Sequence, residues 1–131
     1  MLNTTFLRVR EENLPELRGW FGRLPARRKE LLAVYAAEGT RSEQFFLLRG
    51  EDGPVLMIVT ELEDRRRGGE AFLRSDVPLA VEFKRLIQAT SDGPPRCEVL
   101  YDSARMTRAE ASAGAKPEPT PRPDGEWKAG G

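Results

Sequence analysis

Residues 42–62 read SEQFFLLRGEDGPVLMIVTEL, and the fold turns on this stretch. Two apolar runs, Phe45-Phe46-Leu47-Leu48 and Val55-Leu56-Met57-Ile58-Val59, flank the turn Gly50-Glu51-Asp52-Gly53. Aromatic and β-branched content marks both runs as strands, and the two glycines tolerate the positive φ that a tight connection needs. A hairpin is predicted, with strands at residues 42–49 and 54–62. Side chains alternate between the faces of a strand. Phe45 and Leu47 therefore oppose Phe46 and Leu48, and Leu56 and Ile58 oppose Met57 and Val59. The hairpin is apolar on both faces, so both faces are expected to be covered.

Outward toward the N-terminus, residues 4–10 (TTFLRVR) form a further β-rich run. Asn13-Leu14-Pro15-Glu16 then opens a helix. Asn13 is the expected N-cap, Pro15 fits the first turn, and Glu16 can bond back as in a capping box. Leu14, Leu17, Phe21, Leu24, Arg28, Leu31, Leu32 and Tyr35 continue at spacings of three and four, the pattern of an apolar helical stripe. Pro25 lacks an N–H and clashes with the preceding turn, so the helix should kink or restart there. Gly39 is the expected C-cap.

Toward the C-terminus, Asp64 can cap a helical segment reaching residue 74, which Gly68-Gly69 weakens. Ser75 or Asp76 caps a restart with Pro78 near its first turn. Leu79, Phe83, Leu86 and Ile87 supply its apolar face, and Gly93-Pro94-Pro95 ends it. Residues 96–102 (RCEVLYD) are expected to be the last strand. The order β-α-β-β-α-β predicts an α+β, ferredoxin-like fold with a four-stranded antiparallel sheet and both helices on one face. The other sheet face is then an unpartnered apolar surface. A homodimer with sheets packed together, a dimeric α+β barrel, covers it economically.

The chain divides near Asp102 into a domain at residues 1–102 and a tail at 103–131. The tail contains no Leu, Ile, Val or Phe and has Pro117, Pro119, Pro121 and Pro123 in alternation. Such a segment cannot bury enough apolar surface to offset its ordering entropy, so it is expected to be disordered, with a short helix near residues 106–113. Trp127 is its one aromatic residue.

The 131 residues contain no histidine and one cysteine, Cys97. That excludes an imidazole base, a Ser-His-Asp or Cys-His pair, and the usual zinc and haem ligand sets. No cofactor and no metal are expected. Lys+Arg and Asp+Glu both number 21, so the formal net charge is zero. A general nucleic-acid binder needs a basic excess to displace counterions from phosphates, so none is expected. No apolar run approaches the length of a membrane span, and no leader pattern follows Met1. A single unpaired cysteine, read as a small buried hydrophobe, fits a reducing, cytoplasmic setting.

Ala71-Phe72-Leu73-Arg74-Ser75-Asp76-Val77-Pro78-Leu79, followed by Glu82-Phe83-Lys84-Arg85, resembles a family of short bacterial proteins of unknown function. The early helix with Leu17-Arg18-Gly19-Trp20-Phe21 and Arg27-Arg28-Lys29-Glu30, and the strand end Thr60-Glu61-Leu62-Glu63-Asp64, carry the same likeness. It covers residues 4–102. A histidine often precedes the proline in that family, where this chain has Val77. The pattern is also similar to dimeric α+β-barrel proteins, among them cofactor-free monooxygenases, polyketide cyclases, small isomerases and haem-binding members. The absence of histidine disfavours the last.

The resemblance implies a cofactor-independent enzyme of cyclase, isomerase or monooxygenase type. It would act on a small aromatic or polyketide-like molecule in a pocket beside the dimer interface. Arg8 and Glu61, on neighbouring strands, are the candidate catalytic residues, with Arg8 stabilising an anion and a desolvated Glu61 moving a proton. Trp20, Tyr35, Phe46, Asp76 and Tyr101 are the candidate substrate-binding residues. The competing expectation is a non-catalytic dimeric small-molecule-binding or accessory protein, in which these charges are ordinary surface pairs.

Overall fold

The computed structural model describes residues 1–104. The tail beyond Ala104, with its expected helix and Trp127, lies outside the described residues. The chain divides after Arg96 into a unit Met1–Arg96 and a second unit that begins at Cys97.

The first unit contains β1 (Leu2–Arg8), α1 (Leu14–Arg23), α2 (Arg28–Glu38), β2 (Thr40–Gly50), β3 (Gly53–Leu62), α3 (Arg65–Arg74) and α4 (Pro78–Thr90). The hairpin forms as read, with Gly50 opposite Gly53 in the β2–β3 register. The sheet is antiparallel, in the order β1-β3-β2. The fourth strand does not form: Arg96–Asp102 carry no strand pairing, and Val99, Leu100 and Tyr101 are 58%, 87% and 69% exposed. The physical reason lies just upstream, where Pro94 and Pro95 donate no N–H to a ladder. Only the turn before them touches β1, through Asp92 N–H to Arg8 O at 2.9 Å and Arg8 N–H to Gly93 O at 2.7 Å.

The helical half follows the proline and glycine signals closely. α1 ends at Arg23, a 3-10 turn spans Leu24–Arg27 around Pro25, and α2 restarts at Arg28. Gly39 caps α2 at φ 70°, in the left-handed region that a side chain makes costly. Asp64 caps α3, its Oδ1 accepting from Arg67 N–H at 3.0 Å. Two expected caps differ. Asn13 caps no N–H, because its Oδ1 accepts from Arg10 Nε at 3.0 Å instead. The cap of α4 is Val77, and Ser75 Oγ accepts from the Val77 N–H one step earlier. Within α2, Leu32 is 49% exposed and Val34 takes the buried position.

Burial alternates along β3. Leu56, Ile58, Thr60 and Leu62 face the helices and are buried, while Val55, Met57, Val59 and Glu61 lie on the other face and are only partly covered. Leu14, Leu17 and Leu86 pack with Val9, Leu56 and Ile58 into one core cluster, while Val34, Leu79 and Ala80 form a second. Trp20 borders both clusters, and the aromatic rings of Trp20, Phe21, Phe45, Phe72 and Phe83 link them by edge and tilted contacts.

Candidate functional site

Between the two core clusters, on the helix-covered face of the sheet, lies a cavity of about 380 Å³. Its walls are mainly apolar and aromatic, with Trp20, Phe45, Phe72 and Phe83 among them. Two carboxylates interrupt these walls, Glu38 at the end of α2 and Glu43 on β2. The αL turn at Gly39 brings them to the same cavity by reversing the chain between helix and strand.

Glu43 is held from two sides. Tyr35 Oη donates to its Oε1 at 3.0 Å, and Thr60 Oγ1 donates to its Oε2 at 3.2 Å. Tyr35 comes from α2, and Thr60 is the direct cross-strand neighbour of Glu43 on β3. Burial raises the Glu43 pKa, and these two donors offset part of that shift by stabilising the anion. Burial first, and then the adjacent Glu43 carboxylate, push the Tyr35 phenol up as well.

Glu38 has less support. One carboxylate oxygen is buried without a hydrogen-bond partner, and the carboxylate accepts only a long 3.5 Å contact from Thr40 Oγ1. Burial, reinforced by the charge of Glu43, pushes its carboxyl up to about 7, with Thr40 and Lys84 acting in the opposite direction. Lys84 also lines the cavity, but its ammonium is committed elsewhere. It donates to the carbonyls of Phe72, Leu73 and Ser75 at 3.1, 3.2 and 2.9 Å, closing the last turn of α3. Its three protons are thus spent on backbone, and Glu38 receives charge from Lys84 but no hydrogen bond.

A carboxyl titrating near neutrality can both take and give a proton at pH 7, the condition for efficient general acid–base work. Glu43, clamped by two hydroxyls, is the more rigid partner. The mainly apolar walls lower the local dielectric, which strengthens each polar interaction within.

The expected catalytic pair does not converge. β1 and β3 are antiparallel neighbours as read, but Arg8 pairs with Val55 and Glu61 pairs with Leu2. Six positions along the strand separate the two, about 20 Å at ordinary strand rise. Both lie on the sheet face away from the helices, and neither lines the cavity. Phe46 is on that face too, at 43% exposure, because it alternates with the cavity residue Phe45. Asp76 is exposed between α3 and α4, outside the cavity wall. Tyr101 is exposed in the second unit, and Cys97, expected to be buried, is exposed there too.

Trp20 and Tyr35 are the two candidate residues that the cavity brings together. The Trp20 indole N–H donates to Glu82 Oε1 at 3.3 Å, and Glu82 is itself paired with Arg27 at 2.6 Å. Glu38, Glu43, Thr60 and Lys84 were missed. A signal for two of them existed: Glu43 shares the strand parity of Phe45 and Leu47, and Glu38 sits three residues after Tyr35, the spacing of one helix face. A charged residue on an apolar parity is the legible anomaly.

The chain belongs to the DUF6176 family, a family of unknown function, whose model matches residues 2–108. No curated protein matches it. No helix among the described residues is long and apolar enough to cross a membrane.

Proposed function

We propose that this protein is a cofactor-independent acid–base enzyme of isomerase or cyclase type. Its substrate would be a small, largely apolar molecule, aromatic or polyketide-like, held in the helix-side cavity. The observation that carries this reading is Glu38, a carboxyl pushed up to about 7 in an aromatic-walled cavity beside a second, hydrogen-bonded carboxylate. Isomerisation or cyclisation through an enol needs a base for a carbon acid and a donor for the developing oxyanion. Glu38 is the base, and the Tyr35 hydroxyl becomes the donor by turning its one proton from Glu43 Oε1 to the oxyanion, while Thr60 keeps its hydrogen bond to Glu43. The cavity volume falls within the common range for small-molecule sites.

The test needs no knowledge of the natural substrate. A planar 1,3-diketone such as benzoylacetone is incubated with the protein in D2O, and loss of its α-proton signal is followed by NMR. Exchange above the buffer rate, lost in Glu38→Gln but retained in Glu61→Gln, is expected. Binding without exchange in the wild type would sink the catalytic reading and leave a small-molecule-binding protein.

A second copy of the chain is the proposed partner. The sheet face away from the helices presents Phe6, Phe46 and Leu48 at 40%, 43% and 42% exposure, a contiguous apolar surface beside Met57 and Val59. The strand order β1-β3-β2 supports a ferredoxin-like reading, with the fourth strand absent among the described residues. The cavity would then lie across the sheet from the interface and not beside it. A free, exposed Cys97 thiol fits a reducing compartment, and we place the protein in the cytoplasm on that ground.

A further inference from the structure

The outer sheet face is a grid set by the strand register. Its rows run Leu2–Glu61–Ser42, Thr4–Val59–Gln44, Phe6–Met57–Phe46 and Arg8–Val55–Leu48. The charges on it are polarised: Glu61 stands in the first row and Arg8 in the last. Their separation of about 20 Å is too great for a pair within one chain.

Two sheets packed face to face by a two-fold axis have two simple arrangements. With the axis along the strands, each row meets itself. Glu61 then lies over Glu61 of the partner subunit on the central strand, and the bulky Phe6–Met57–Phe46 row meets its own copy. With the axis across the strands, the rows invert. The last row covers the first, which brings Arg8 beside Glu61 of the partner subunit twice. The Phe6–Met57–Phe46 row then falls on the less bulky Thr4–Val59–Gln44 row, so large side chains meet smaller ones. Sheets lie about 10 Å apart, a gap that an arginine and a glutamate together span.

We infer that two copies of this chain pack through the outer sheet face about a two-fold axis running across the strands, with Arg8 paired to Glu61 of the partner subunit. This rests on the reading that a second copy covers that face. It gives the two residues a structural role as the elements that fix orientation, since like charges facing each other reject the alternative axis.

Charge reversal of the full chain tests it, with the dimer dissociation constant read by analytical ultracentrifugation and folding checked by circular dichroism. Arg8→Glu and Glu61→Arg should each weaken the dimer by about tenfold or more, and the double variant should return to within about threefold of wild type. Because the residues are far apart in one chain, rescue can arise only between chains. A dimer in which the two single losses add, with no rescue, overturns the axis and the pairing while leaving a second copy on the face. A wild-type monomer at all concentrations overturns both, and gives the face to another occupant, the chain's own C-terminal residues or a different protein.

Discussion

Glu38 concentrates the proposed chemistry in one side chain. Its carboxyl is raised from the ordinary 4.5 to about 7, first by burial and then by Glu43. The folded protein therefore keeps a proton that the unfolded chain releases, and folding is opposed once the group must ionise. The sign follows: stability is highest below about pH 4.5 with respect to this group, declines as pH rises toward 7, and is flat above. Glu43, also raised by burial, acts in the same direction. Glu38→Gln, neutral at every pH, should melt higher than wild type at pH 8 and show a shallower fall in Tm between pH 4.5 and 7, as read by thermal melts across that window. Parallel Tm curves for the two proteins would remove the unusual titration and the base assignment with it.

Elements, and not single residues, decide whether the cavity closes. α3 approaches the end of α2 through Gly68, where an added Cβ would meet the Glu38 backbone oxygen at 3.0 Å and Leu62 Cδ2 at 3.1 Å. Both neighbours are fixed, one in the backbone and one in the core. Gly69, the next residue, has nothing within 4 Å of such a Cβ. The two positions therefore separate packing from helix propensity. Gly69→Ala should stabilise by up to about 1 kcal/mol, because alanine is the better helix former. Gly68→Ala should destabilise by about 1–3 kcal/mol despite the same propensity gain, because α3 must move off α2. Urea denaturation of the two variants reads the difference, and equal effects would mean that α3 is not seated as described. The sequence marks both glycines only as helix-weakening, since propensity is local whereas the approach of Glu38 and Leu62 to Gly68 is a contact between elements.

Among the described residues the helices cover one sheet face and leave the other open, and the proposed assembly follows from that asymmetry. Phe46 sits in the middle of the open face at 43% exposure. Replacing it with lysine should change the stability of the single chain by about 0.5 kcal/mol or less, as for an ordinary surface substitution. In the proposed dimer the same change buries an unpaired charge at the centre of the interface. Sedimentation should then find Phe46→Lys monomeric at concentrations where wild type is dimeric. A dimer unaffected by this substitution uses another surface.

Local chemistry made much of the fold legible in the sequence. The hairpin at residues 42–62, the break at Pro25, the αL cap at Gly39 and the Asp64 cap each depend on a few consecutive residues, and each forms where it was read. The apolar content of both sheet faces was equally visible, because strand parity is a property of sequence spacing. Register and packing were decided elsewhere. Which residue of β1 faces which residue of β3 depends on the sum of contacts along both strands, so the sequence could place Arg8 and Glu61 on neighbouring strands but not at opposite ends of them. The fourth strand failed because Pro94 and Pro95 withhold the donors that residues 96–102 would need to start a ladder. The candidate site arises only when α2 folds back over β2, bringing Tyr35, Glu38, Glu43 and Thr60 to one cavity. Burial then raises the carboxyls, and burial is a property of the assembled fold, which no short stretch of the chain contains.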